Sequence, residues 1–335
     1  METGRLTKGK SRRETFISIA STLTVTLVTL ALLEVLLRTA DFRELRENET
    51  SLAYDFDAEL GWAPVPGSEG KVVTFRTTHY KHNSLGLRDQ EFSLDAKPTI
   101  MFLGDSFVWG LDSEADERFT DLLKPRIADH KILAAGVSGF GTDQEYLLLQ
   151  RIWPKVKPSV VVLIVCSAND HDDNMRSAYY FNYHKPYFAT QPDGSLKLMG
   201  QPVPRSHLMY FRDHWLVRNL WLARLGTNVY IRLKHPKVIV PDPTEKLVAK
   251  IREFVEANGG KFMVGITHRD EALVRFLEAK RIPLVELEGA DFIKPSRENI
   301  WGAHWTPEGQ KDVAERIYGM LSANGIVRAN AALAK

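Results

Sequence analysis

The sequence predicts an α/β protein, a doubly wound parallel sheet preceded by one membrane-spanning helix. Three observations predict it. From residue 98 onward, apolar segments of strand length alternate with segments of helical periodicity, the βαβ pattern of an open sheet. Residues 159–166 are nearly all Val, Leu and Ile, which suits a central parallel strand covered on both faces. Residues 16–37 form an apolar run that, as a helix, would be roughly 33 Å long at ~1.5 Å per residue, enough to cross a bilayer core.

Taken from the N-terminus, residues 1–15 carry a net charge of +3, from Arg5, Lys8, Lys10, Arg12 and Arg13 against Glu2 and Glu14. The apolar run behind them exceeds the about 7–15 residues of a signal-peptide core, and Leu37-Arg38-Thr39-Ala40 is a poor cleavage site. We therefore expect a basic cytoplasmic tail (1–15), an uncleaved anchor (16–38) and everything beyond Arg38 in the periplasm or exterior. Glu34 lies within a turn of the outer end, where it snorkels to the headgroups or meets a partner helix.

The whole chain of 335 residues carries a net charge of +2, so nucleic acid is not an expected partner. Its single cysteine, Cys166, lies in a strand-like run and reads as a small buried hydrophobe; an internal disulfide is impossible. Residues 39–97 read as a membrane-proximal segment, with a strand at 71–78 and an ordered loop at 83–89. Strands are expected at 98–103, 131–137, 159–166, 261–266 and 284–288. Helices are expected at 116–127, 143–156, 244–258, 270–280 and 308–321, the last behind Thr306-Pro307, an N-cap and first-turn proline. Between 170 and 240 the alternation breaks. A hairpin around Pro192-Asp193-Gly194 and a Trp- and Arg-rich helical stretch at 206–225 read as an insertion over one sheet edge. Residues 326–335 read as a tail, with 329–335 as its solvated end.

In open α/β sheets, ligands gather at the carboxyl ends of the strands. Four candidates fall there. Ser106, in Leu103-Gly104-Asp105-Ser106, follows the first strand, and Gly139 follows the second. Asn169, in Ala168-Asn169-Asp170, follows the third, and His304 precedes the final helix. Acyl transfer needs a nucleophile, a base and oxyanion donors. Ser106 can be the nucleophile and His304 the base. The N–H groups of Ser106 and Gly139 and the amide of Asn169 can be the donors. His268, just after a strand, is a rival base, and Gly136 and Gly141 lie close to Gly139.

These four blocks, in this order, resemble the signature blocks of the SGNH/GDSL hydrolase superfamily over roughly residues 98–325. The anchor ending Leu33-Glu34-Val35-Leu36-Leu37-Arg38, the loop 83–89, the run 139–145 and Lys185-Pro186-Tyr187-Phe188 resemble a membrane-anchored bacterial subset of it. The resemblance implies a flavodoxin-like three-layer α/β/α sandwich and ester chemistry, often on O-acylated carbohydrate. One position departs. Members usually carry an aspartate two or three residues before the histidine, where this chain has Gly302 and Trp301. Glu298, Asp291 or a backbone carbonyl would then orient His304, or the site would be a Ser–His dyad.

Other features take plainer readings. Gly139-Phe140-Gly141 lacks the third glycine of a dinucleotide loop, since residue 144 is Gln. His171-Asp172-Asp173-Asn174 has metal-ligand residue types without site spacing and reads as a solvated loop. The aromatic residues at 179–188 form a packed hairpin or a sugar-stacking platform. Arg205, Arg212 and Arg218 read as a wetted helix face. No cofactor and no metal is expected. The sequence therefore predicts an esterase acting on an acylated carbohydrate or small ester. An O-acyltransferase allied to envelope polysaccharide machinery, or a non-catalytic glycan-binding scaffold, are the alternatives.

Overall fold

The computed structural model describes residues 11–42, 45, 53–93, 97–179, 183–205, 214–294 and 304–328. The chain opens with α1 (Arg12–Ala40), started by a capping box between Ser11 and Glu14 and ended by Asp41 in the left-handed region. No residue of α1 is buried, and it is long and apolar enough to cross a membrane. Two antiparallel hairpins follow, β1 (Tyr54–Asp57) with β2 (Gly61–Pro64), and β3 (Glu69–Val73) with β4 (Thr77–Lys81). The strand expected at 71–78 is therefore two strands, broken at Thr74-Phe75-Arg76.

The central sheet begins with β5 (Thr99–Gly104), α2 (Ser106–Trp109), α3 (Phe119–Leu123), β6 (Lys131–Gly136), α4 (Thr142–Val156) and β7 (Val160–Val165). The insertion carries α5 (Asp170–Asn174), β8 (Ala178–Tyr179), β9 (Tyr183–His184), β10 (Tyr187–Thr190), β11 (Leu196–Met199), α6 (Trp215–Asn219) and α7 (Trp221–Lys234). The sheet resumes with α8 (Thr244–Ala257), β12 (Lys261–Ile266), α9 (Glu271–Ala279), β13 (Leu284–Glu286) and α10 (Pro307–Ala323).

All five strands are parallel, in the order β13-β12-β7-β5-β6. Strand alternation sorts the core into two layers. Met101, Leu103, Val161, Leu163 and Val165 pack under α4, α8 and α9, while Ile100, Phe102, Val160, Val162 and Ile164 pack under α3 and α10. This is the expected three-layer α/β/α sandwich. Every residue of β5 and β7 is buried, as continuous apolar strands require when both faces are covered.

Two elements differ in length from expectation. The helix α3 is shorter than 116–127: it starts only after Arg118, and Pro125, which has no N–H to donate, breaks the regular ladder after Leu123. The helical stretch expected at 206–225 runs on to Lys234, and its first part, 206–213, lies outside the described residues.

Candidate active site

The close packing beneath Ser106 sets the site. A Cβ on Gly136 would lie 2.2 Å from Trp109 N, and one on Gly104 would lie 2.5 Å from Val108 Cγ2. Two glycines at the strand ends thus let the single-turn helix α2 sit directly on β5 and β6. Asp105 caps that turn by accepting Phe107 N–H at 2.9 Å. Ser106 opens it, so its own N–H is among those a helix leaves without an intrahelical partner.

The structure brings Ser106 and His304 together. His304 Nε2 is 2.9 Å from Ser106 Oγ, and Nδ1 is 3.1 Å from Asp112 Oδ2. With the ring proton on Nδ1, the serine hydroxyl donates to Nε2 and Nδ1–H donates to the carboxylate. His304 is 5% exposed and Asp112 is fully buried. Phe107 lies against the imidazole at 5.0 Å between ring centroids and Trp305 packs behind it.

Asp112 corrects the expectation for the orienting group. Asp291 does not reach the imidazole: its carboxylate accepts Thr306 Oγ1–H at 2.8 Å and its carbonyl accepts Thr306 N–H at 2.9 Å, at the start of α10. Glu298 lies outside the described residues, as do Trp301 and Gly302. The carboxylate comes instead from six residues beyond Ser106. Asp112 adopts φ 65°, a left-handed conformation that Asp tolerates better than most residues and that is often found where function dictates the backbone. The sequence signal was the loop Gly110-Leu111-Asp112-Ser113 beside Ser106, which no spacing rule relative to His304 would select.

The second oxygen of Asp112 is held by the segment before the sheet. Asp112 Oδ1 accepts Phe75 N–H at 3.1 Å, Arg76 N–H at 3.2 Å and the Thr74 hydroxyl. Arg76 Nη1 donates to the Asp112 carbonyl at 3.1 Å, and the guanidinium is paired with Glu117 at 2.8 and 2.9 Å. Burial alone would raise the Asp112 carboxyl, but the bonds from His304 and Thr74 outweigh it and hold it below the usual range. Arg88, from the loop 83–89, donates to the carbonyls of Trp109, Gly110 and Ser113, fixing the same loop from the other side.

Gly139 has φ 78°, a conformation in which glycine is favoured, and it follows Ser138, whose N–H donates to Tyr54 Oη at 3.3 Å. Asn169 precedes α5, and its amide donates one N–H to Asp173 Oδ2 at 2.8 Å. His268 is not paired with Ser106. Its Nδ1 meets Thr267 Oγ1 at 2.8 Å, its ring stacks near Phe292, and burial lowers its pKa.

The stretch 171–174 is not a solvated loop. His171 bridges Asp242 at 2.5 Å and Asp270 at 2.6 Å, mainly through the Asp242 hydrogen bond, which lifts the imidazole to about 9. Asp173 and Asn174 are buried. Behind the site, Asp105, Asp143, Glu145, Asp170 and Asp173 are all buried, with Lys185 paired to Asp143. Both Glu145 oxygens lack a hydrogen-bond partner. Burial pushes Glu145 and Asp170 well above the carboxylate range, Asp173 to about 8 and Asp105 to about 6. Among the described residues, no group of acidic, His or Cys side chains has the arrangement of a metal site. The aromatic hairpin packs inward: Tyr183 meets Trp62 edge-on at 5.7 Å and Phe188 meets Tyr146 at 6.0 Å.

No family model matches the chain, and no curated protein matches it by sequence. Solved structures similar to it are GDSL-family lipolytic hydrolases and esterases. A member of the G-D-S-L lipolytic family from Veillonella parvula is 12% identical, with a TM-score of 0.38 over 67% of this chain and 97% of that one. The esterase EstA from a Pseudoalteromonas species is 13% identical, with a TM-score of 0.36 over 68% and 98%. An acetyl xylan esterase is 14% identical, with a TM-score of 0.37 over 66% and 98%.

Proposed function

We propose that this chain is a serine ester hydrolase. The observation that carries the reading is the continuous chain of hydrogen bonds from Ser106 Oγ through His304 to Asp112. His304 Nε2 takes the hydroxyl proton as Oγ attacks the ester carbonyl carbon. Asp112 stabilises the imidazolium that forms and fixes its tautomer. The tetrahedral oxyanion is received by the N–H groups of Ser106 and Gly139 and by the Asn169 amide, whose hold on Asp173 fixes its plane. His304 then gives its proton to the leaving alcohol. A water, deprotonated by the same nitrogen, releases the acid and restores the serine.

In this reading α1 anchors the enzyme in the cytoplasmic membrane, with the basic tail inside and the sheet domain on the outer side. Its substrate class is an O-acyl, chiefly O-acetyl, group on an extracytoplasmic carbohydrate. Ser106 should turn over p-nitrophenyl acetate and label with a fluorophosphonate probe, and Ser106→Ala should do neither. Equal turnover by the two proteins would refute the reading. Product analysis with added glycan separates hydrolysis, which yields free acid, from transfer to a sugar hydroxyl.

A further inference from the structure

The helix α7 is partly inverted. Its buried positions are Arg224, Asn228 and Ile231, while Leu225, Val229 and Leu233 face outward, the last 81% exposed. The repeated spacing of four residues puts those three on one stripe. In α6 the pattern continues: Val217 is buried, and Trp215 and Leu216 are 70% and 56% exposed. A helix in water buries its apolar stripe and solvates its cations, so this pair is arranged for a non-aqueous neighbour.

Three contacts say where that neighbour is. Glu34 of α1 accepts the N–H groups of Trp221 at 3.0 Å and Leu222 at 2.9 Å, capping α7 with a carboxylate from the anchor. Arg38 pairs with Glu34 at 2.7 Å and donates to the Asn219 carbonyl at 2.6 Å. Arg224 donates to the carbonyls of Val217, Leu45 and Arg218, so the buried cation satisfies the backbone joining the three segments. Glu34 lies six residues before the end of α1, about 9 Å at 1.5 Å per residue. The start of α7 is thereby fixed beside the last turns of α1, which the anchor reading puts at the depth of the headgroups, and both helices expose apolar residues.

We infer that α6 and α7 form an interfacial platform that lies on the lipid surface beside α1. Leu225, Val229 and Leu233 enter the acyl boundary, with Trp215 at the headgroup level, where an indole combines an apolar body with a polar N–H. Arg232 and Lys234 in the last turn of α7 give the platform a basic flank suited to anionic lipid. The platform holds the sheet domain at one orientation to the bilayer. This inference rests on α1 being a membrane anchor.

The test uses the full chain in vesicles of phosphatidylethanolamine and phosphatidylglycerol, with nitroxide labels on Val229→Cys, Leu233→Cys, Leu27→Cys and Glu278→Cys; Cys166 is buried, and the unsubstituted chain gives the background. Oxygen, which partitions into lipid, and a water-soluble nickel chelate are the collision probes. The labels at 229 and 233 should favour oxygen over nickel, like 27 and opposite to the exposed α9 position 278. If 27 favours oxygen while 229 and 233 match 278, the platform is refuted and the anchor stands. If 27 matches 278, the anchor reading itself is refuted, and the platform with it. Shielding of 229 and 233 from both reagents would overturn lipid contact in favour of a protein neighbour.

Discussion

Asp112 carries the largest difference between what residue patterns foretell and what the fold delivers. Ser106 and His304 were legible because each lies in a short block at a strand end or before a helix, where local sequence dictates geometry. The acid was not, because its place depends on a left-handed turn at residue 112 and on donors from residues 74–76, far from His304 in sequence. Asp112→Asn keeps the shape but removes the charge that selects the imidazole tautomer. It should lower kcat by about 10³–10⁴-fold, the scale seen when a triad aspartate is neutralised. Asp291→Asn, which alters only the cap of α10, should leave kcat within about twofold. Steady-state kinetics on a p-nitrophenyl ester check both, and a rate loss confined to Asp291→Asn would reverse the assignment.

At the scale of elements, the parallel strands were readable from their apolar runs, since burial on both faces leaves no polar alternation to confuse them. The β3–β4 hairpin was not, because its turn, Thr74-Phe75-Arg76, contains neither glycine nor proline. Its Phe75 and Arg76 amides close on the Asp112 carboxylate, while Thr74 N–H donates to the Arg76 carbonyl at 3.1 Å. The helix α7 escaped its true length for a related reason: Arg224 and Asn228 face inward and reverse the expected periodicity. The hairpin has a kinetic signature. Thr74→Val removes a donor that helps hold Asp112 charged, so the Asp112 carboxyl rises toward the ordinary range. The acid limb of the kcat/KM profile should then move to higher pH, with the plateau nearly preserved. A pH–rate profile checks this, and a uniform loss at every pH would point to structural damage instead.

Across the whole molecule, the buried acidic cluster sets a pH dependence of stability. A carboxyl whose folded pKa is raised stabilises the fold fully below its unfolded pKa, near 4, and loses that contribution as pH rises through the folded value. For Asp173 that value is about 8, and Glu145 and Asp170 are shifted in the same direction. His171, raised to about 9, is also stabilising below its unfolded pKa near 6.5 and ceases to be so as pH passes 9. All these contributions fall between pH 4 and 9, so Tm should decline from pH 5.5 to pH 8.5. Glu145→Gln removes a carboxyl whose oxygens have no partner and should raise Tm at pH 8.5 more than at pH 5.5. Calorimetry at the two pH values checks it, and an equal shift at both would show that charge at Glu145 is not the cause. None of this was legible in the sequence, where 171–174 read as solvated and the carboxylates of α4 and α5 lay on separate segments.

Ser106 and Asp112 also share one short loop. Gly110 turns it at φ 82°, and Arg88 pins its carbonyls. Ser106 and Asp112 are therefore placed by one loop, and His304 meets it from the residues before α10. Gln310 spans that crossing, donating to Ser113 Oγ at 3.0 Å and accepting Phe119 N–H at 2.9 Å. In the proposed mechanism, the alignment of His304 on the Ser106–Asp112 loop then draws on this crossing, with a glutamine as its pin.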